Sequence, residues 1–547
     1  MPVLTFIDAI GIQSFVFLSN RLRDAVAGSE MISKALGSSI DSTLGGIAHG
    51  LGGETIMAAG GNALVCFDDM APAREFAARY SRALLEKAPG LDVVISHCGY
   101  NSGNLAKAIQ AIHRDIQEAK LNMEPSACLP GLSVIAECSE TRLSATSVVG
   151  QPGDEPPVPL SGPIAARRLV QLPDTVYSGF TEGHGPRVDI RYPLDIDNLG
   201  RTRADTSLVG VVHVDGNKVG SRLADWLKEK NKNGASDEQV EGEYKKVSQA
   251  IDELALGCLI HIRKRIIDAV RWRPSYSSED GPIGNQGNDA GDYVLYNGPL
   301  DRVFALKRVR EKGRDIVYLP IRPIIEGGDD ITFVCDGRIA LDLAETALRY
   351  FMQANIYGLG QVTASAGVAI GKSHTPFARL YGAAEVLCKS AKRHLHEKDI
   401  DDSCMDWHIG TAGVTDIEAQ RERSYTTPDR KYHLTCRPYP LGSSPDEPDT
   451  WTWFNETILG THVDPDKVPG LLSNTWQRHR TKINSLRTAL VYGPDSVERA
   501  IESWSILAEL PSLPGGDALA KRGYLGKRTP FLDAIELMDI HFPLGKE

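Results

Sequence analysis

Gly327-Gly328-Asp329-Asp330 sets two adjacent carboxylates between the apolar runs 316–325 (IVYLPIRPII) and 331–335 (ITFVC), which read as the strands of a hairpin. Two glycines allow a tight turn and leave room for a triphosphate to approach the backbone. Adjacent carboxylates, with Glu326 beside them, repel one another unless a cation neutralises them. The pattern therefore suits a divalent-metal site for nucleotide chemistry. The same four residues also make an ordinary solvated turn, so the rest of the chain must decide.

Asp215 is the second acid, directly after the apolar run 207–214 (SLVGVVHV). Joining a 3′-hydroxyl to an α-phosphate commonly uses two metal ions about 3.5–4 Å apart. Asp215 facing Asp329 and Asp330 could hold such a pair. Oxygen ligands of this kind suit Mg²⁺ or Mn²⁺, which keep water and phosphate as their remaining ligands. Gly216, Gly327 and Gly328 would leave the backbone open to nucleotide. Lys389 and Lys392, three apart on a helix, share a face that could hold the β- and γ-phosphates of a nucleotide, or could simply be solvated. Asn217 and Ser365 are candidate nucleotide contacts, with helix capping or strand-end bonding as the alternative. His213 reads as a core histidine without a catalytic role. No histidine is followed by aspartate, and no P-loop or GxGxxG is present, so HD-type, Walker and Rossmann chemistry have no support.

Elements that would position these residues recur twice. Residues 1–125 read as β-α-β-β-α-β with a closing helix, the ferredoxin-like split βαβ order. This covers a strand at 3–7, a helix over 14–36, a hairpin at Gly60-Gly61 and later elements ending near residue 120. Residues 207–410 repeat the order. Asp8 corresponds to Asp215, Gly60-Gly61-Asn62-Ala63 to Gly327-Gly328-Asp329-Asp330, Ser96 to Ser365 and Lys120 to Lys392. Only the second copy keeps the carboxylate pair, so the first reads as degenerate. A long helix over 241–270 and a mobile loop over 274–298 read as insertions. Residues 126–206 form a smaller inter-copy region with a helix-breaking loop at 151–159, and 411–547 read as a C-terminal helical domain. The fold class expected is α+β.

The 547 residues carry 42% hydrophobic and 24% charged side chains, as folded globular proteins do. A net charge of −11 argues against a protein coated with nucleic acid. No stretch reaches the roughly 20 apolar residues of a membrane span. The N-terminus lacks a basic n-region, so no signal peptide is expected. Nine scattered cysteines without a CxxC fit reduced thiols in a cytoplasm.

Six segments together resemble the large polymerase-palm subunit of type III CRISPR effector complexes, and more broadly the palm/nucleotide-cyclase superfamily. They are IQSFVFLSNRLRDAVAGSEMIS (12–33), VDGNKVGSRL (214–223), LPIRPIIEGGDDITFVCDGR (319–338), ASAGVAIGKSHTPF (364–377), AEVLCKSAKRH (384–394) and TPFLDAIEL (529–537). The resemblance implies two packed palm domains, with ATP at the one bearing GGDD. It implies Asp329, Asp330 and Asp215 as metal-binding acids and Lys392 as the phosphate-side lysine. Similar proteins make cyclic oligoadenylate messengers in antiviral defence when target RNA engages a guide complex. The partners implied are ATP, guide-RNA effector subunits and an activating RNA, with no membrane; a homodimer is an alternative assembly. The HD nuclease domain of many such subunits is missing, so DNA cleavage is not expected. Cys128 and Cys138 cannot make a four-ligand zinc site, and Asn217 stands where many relatives carry a second Asp. The function expected is metal-dependent joining of ATP into 3′–5′ cyclic oligonucleotides. Its rivals are a diguanylate- or adenylate-cyclase-like enzyme and a non-catalytic scaffold that binds nucleotide or RNA.

Overall fold

A computed structural model of the chain describes residues 1–123, 134–150, 156–199, 208–274, 291–410, 416–461, 469–504, 509–512 and 517–545. The first unit runs β1 (Val3–Ile10), α1 (Ile12–Val16), α2 (Leu22–Leu36), α3 (Thr43–Gly50), β2 (Glu54–Ala59), β3 (Asn62–Phe67), α4 (Met70–Lys87), β4 (Asp92–Gly99) and α5 (Leu105–Leu121). Its antiparallel sheet has the order β2-β3-β1-β4, that of a split βαβ unit. The helix expected over 14–36 is two helices. Ser19 stands between them, accepting from Arg21 N and donating to Asp24 at 2.9 Å, so the backbone is held in a turn.

Short elements follow: β5 (Ser147–Val149), β6 (Val158–Leu160), α6 (Gly162–Leu169), β7 (Thr175–Phe180) and β8 (Val188–Arg191). Of the loop expected at 151–159, residues 151–155 lie outside the described residues, and Val158 and Pro159 belong to β6.

The second unit begins with β9 (Leu208–Gly216), α7 (Val219–Lys232) and α8 (Asp237–Asp268), the last opened by a Ser236–Gln239 capping box. Strands β10 (Val270–Pro274), β11 (Gly291–Asn297) and β12 (Arg302–Ala305) form a small sheet. Residues 291–297 are thus a strand, not part of the loop expected over 274–298; residues 275–290 lie outside the described residues. Next come β13 (Arg308–Glu311), β14 (Arg314–Tyr318), β15 (Ile321–Gly327) and β16 (Asp330–Asp336). The run 316–325 is therefore not one strand. It breaks at Leu319-Pro320, and β14 joins β13, β8 and β7 in a separate sheet. Proline lacks the N–H that a continuous ladder would need.

Helix α9 (Ala340–Gln353), the short strands β17 (Asn355–Ile356) and β18 (Gly360–Gln361), β19 (Ala364–Lys372), α10 (Phe377–Lys398), β20 (Cys404–Ile409) and β21 (Tyr439–Pro440) complete the unit. Its main sheet has the order β15-β16-β9-β19-β20-β21, whose first four strands repeat the first unit's order. Asp8 and Asp215 lie inside β1 and β9 rather than after them.

The two units cover each other reciprocally. On the α5 side of the first sheet, Phe6, Leu64 and Ile109 share a core with Tyr244, Val247 and Ile251 of α8. On the α10 side of the second sheet, Val211, Val334 and Ala384 pack with Val16, Leu22 and Val26 of the first unit. The C-terminal region is largely helical, including Arg480–Val491, Pro494–Glu502 and Phe531–Leu537, and it donates β21 to the second sheet. Its buried Trp451 and Trp453 join the same core as Trp407 of β20. Among the described residues, no helix is long and apolar enough to cross a membrane.

Candidate functional site

Strand register brings the acids together. Asp330 of β16 pairs with Asp215 of β9, and Ser365 of β19 pairs with Asp215 from the other side. Gly327 pairs with Asp330, leaving Gly328-Asp329 as a two-residue turn. Gly328 has φ +66°, a conformation that glycine adopts without strain. Gly216 N donates to the Asp329 carbonyl at 3.0 Å, tying the turn to the end of β9. A Cβ on Gly216 would sit 2.9 Å from Asp329 Cβ and 3.0 Å from its Oδ2, so only glycine lets Asp329 approach this closely.

Lys392 of α10 lies 2.6 Å from Asp215 Oδ2 and donates to the Gly216 carbonyl at 3.1 Å. Lys389, its expected companion, is exposed and pairs with Glu385 at 2.6 Å. The three-residue spacing does not carry both ammonium groups to the acids. Ser365 is fully buried and donates to Asn217 Oδ1 at 3.0 Å, while Asn217 Nδ2 donates to Thr363 at 3.0 Å. These two residues brace the end of β9; Ser365 does not face the cleft.

Burial first, then the neighbouring Asp215 and Asp330 charges, pushes the Asp329 carboxyl up to about 6; Lys392 opposes the shift. The folded protein therefore binds this proton more tightly than the unfolded chain. Stability falls as pH rises from 3.8 through about 6, and the penalty is complete above that. Asp329→Asn should stabilise the metal-free protein at pH 8 by about 1–3 kcal/mol. The gain should vanish near pH 4, which thermal unfolding across that range would check.

A cation fits this donor set. Asp330 Oδ1 is buried without a hydrogen-bond partner of good geometry, although His213 Nδ1 lies 3.2 Å away. Lys392 contacts Asp215 and acts on Asp329 only through its charge. His213 is buried and bonds Thr332 at 3.0 Å; burial lowers its pKa, but Asp330, Asp215 and Glu385 outweigh it, so the net shift is upward. His213, Asp215 and Cys388 have potential ligand atoms within 4.8 Å of one another. Cys388 nevertheless gives its thiol proton to the Ser365 carbonyl at 3.2 Å, and burial keeps it protonated. The oxygen donors point to a hard cation rather than zinc.

The first unit repeats this arrangement with neutralised chemistry. Asp8 pairs with Asn62 across β1 and β3, as Asp215 does with Asp330, and Lys120 forms an ion pair with Asp8. With its amide oriented to satisfy both groups, Asn62 donates to both Asp8 oxygens at 3.0 and 3.2 Å. Both hairpins carry an irregularity at the matching place, between Thr55 and Met57 and between Pro323 and Ile325. The register shifts the expected correspondence by one: Gly60-Gly61-Asn62 matches Gly328-Asp329-Asp330. Val94, not Ser96, matches Ser365. The two glycine pairs are not equivalent, because one turn is Gly-Gly and the other Gly-Asp.

Of the three acids, Asp330 borders a cleft of about 390 Å³ between the units, lined by Gln13, Ser29 and Ser33 of the first and by Glu326 and Gly327 of the second. That is within the usual range for small-molecule sites. The two hairpin tips touch: a Cβ on Gly327 would lie 3.2 Å from Gly60 Cα. Asp252 of α8 also lines the cleft and accepts from Gly328 N at 3.2 Å. Nothing in the sequence marked it, since a single acid on an amphipathic helix reads as a solvated position.

Neither a protein-family model nor a curated protein matches the chain. Solved structures do resemble it. A Csm1–Csm4 cassette in complex with cA4 aligns with a TM-score of 0.53 at 14% identity, covering 98% of this chain and 69% of that one. A Csm1–Csm4 cassette in complex with AMPPNP gives 0.51 at 15%, with 98% and 69% covered. Csm1 in T. onnurineus gives 0.50 at 15%, with 99% and 70% covered. At these identities the shared property is the fold.

Proposed function

We propose that this chain is a divalent-cation-dependent nucleotidyltransferase that joins ATP through 3′–5′ linkages into cyclic oligoadenylates, as a subunit of a CRISPR-type effector complex. The observation that carries the reading is the register that aligns Asp215 with Asp330, with Asp329 in the adjoining turn, beside a cleft between two matching units. The fold shared with Csm1, including structures that hold cA4 and AMPPNP, supports it.

Asp215, Asp329 and Asp330 would hold the cations; of the three glycines Gly327 lines the cleft, while the N–H groups of Gly216 and Gly328 are already bonded to the Asp329 carbonyl and to Asp252. Bound Mg²⁺ or Mn²⁺ supplies the charge that activates a 3′-hydroxyl and neutralises a triphosphate. In the reaction the 3′-hydroxyl of one ATP gives its proton to water and its oxygen bonds the α-phosphorus of another. The bond from that phosphorus to the bridging α–β oxygen breaks, and pyrophosphate leaves. Lys392, already at the rim of the acid cluster, is the ammonium best placed for the departing negative charge. The Asp8–Asn62–Lys120 cluster carries its own cation, which favours a wall-forming role for the first unit.

Purified protein incubated with ATP and Mn²⁺, with and without RNA, should release pyrophosphate and yield cyclic adenylates identifiable by mass. A single cyclic dinucleotide from GTP would favour the diguanylate-cyclase alternative. Complete absence of turnover, together with retained guide RNA, would favour the scaffold.

A further inference from the structure

We propose that Asp252 is a positioning residue for the turn that carries Asp329, a role that rests on the catalytic reading above. Gly327–Asp330 is the last paired position of the hairpin, so the Gly328 N–H lies beyond the ladder. A buried backbone donor of this kind needs an acceptor. Helix α8 supplies one: Asp252 Oδ1 lies 3.2 Å from Gly328 N. The preceding residue closes on the same spot, since a Cβ on Gly328 would meet Ile251 Cγ2 at 3.9 Å. On the first unit's side, that Cβ would lie 3.6 Å from Gly60 Cα.

The turn is thus held by two elements that contribute none of the three acids: the hairpin tip of the first unit and one point on α8. Gly60 supplies contact only, whereas Asp252 supplies the directional bond. Burial raises the Asp252 carboxyl and the Gly328 N–H opposes that shift. The bond fixes the Gly328 peptide, and through it the direction in which Asp329 leaves the backbone. Asp252 also borders the neighbouring cleft of about 330 Å³ beside Lys245, Ser248 and Gln249. It stands where the inserted helix meets the site, so the insertion is part of the site's support.

Asp252→Asn keeps an acceptor oxygen and removes the charge; Asp252→Ala removes both. If Asp252 positions the turn, the full-length Ala variant should lose about tenfold in kcat. Its KM for ATP should stay within about twofold. The Asn variant should retain most of the wild-type rate. Hydrogen–deuterium exchange of a peptide containing Gly328 should accelerate in the Ala variant and not in the Asn variant. An Asn variant as defective as Ala would overturn the proposal in favour of a role for the charge. An Ala variant as active as wild type would overturn it too. A more active Ala variant would mean that the carboxylate blocks an amide needed by phosphate. If wild type makes no product under any condition, the functional reading fails, while amide exchange still decides whether Asp252 holds the turn.

Discussion

Asp329→Ala combined with Asp330→Ala abolishes pyrophosphate release from ATP, by about 10³-fold or more, while the protein stays folded. The double change removes two of the three carboxylates at the end of β9 and β16, leaving Asp215 with Lys392. An acid paired with an ammonium and without its neighbours is a poor site for a divalent cation. Loss of activity through unfolding would predict a lower melting temperature. The expected sign is the opposite for the metal-free protein at pH 8, because Asp329 is held against its own preference for the neutral form. Mn²⁺ should raise the melting temperature of wild type and leave that of the double variant unchanged. A variant that kept even a tenth of the wild-type rate would remove the acids from the chemistry.

Gly216→Ala is the second large effect, and it leaves every charged group in place. The new methyl would fall 2.8 Å from Val219 Cγ2, 2.9 Å from Asp329 Cβ and 3.0 Å from Asp329 Oδ2. Val219 can turn on its own side-chain bonds, but Asp329 must move its carboxylate or its turn. A displacement of about 1 Å at a reacting centre can lower a rate by about 10²-fold. The expected result is therefore a loss of that order in kcat, with a cooperative unfolding transition retained. Gly220→Ala, a few residues on where a methyl would meet nothing within 4 Å, is the matched control and should have little effect. Equal rates for the two variants would mean that the approach of Asp329 to β9 is unimportant.

Much of this site is legible in the sequence alone, because it rests on residue types that turns and strands use in fixed ways. Two glycines before two acids between apolar runs fixed a hairpin tip, and an acid at the end of a valine-rich run placed Asp215 next to it. Lys392 was legible through its counterpart Lys120, and the structure pairs the two lysines with Asp215 and Asp8. What stayed hidden depends on long-range contact. The Asp252–Gly328 bond joins residues 76 apart, and no periodicity announces it. Ser365 looked available because strand alternation cannot say what lies beyond a strand's end; Asn217 claims its hydroxyl. Lys389 looked equivalent to Lys392 because helical spacing gives a shared face but not the reach of each side chain. The break at Pro320 was hidden inside an apolar run, which reads as continuous until the ladder demands an N–H.

The reciprocal covering of the two sheets also explains why a copy without its carboxylate pair would persist. Cut between the repeats, each fragment would expose oily surface now hidden by its sibling, and would clump before it could work. If the unit bearing Asp215, Asp329 and Asp330 is the one under selection, its sibling is preserved with it, and drift there is tolerated only where the join is spared.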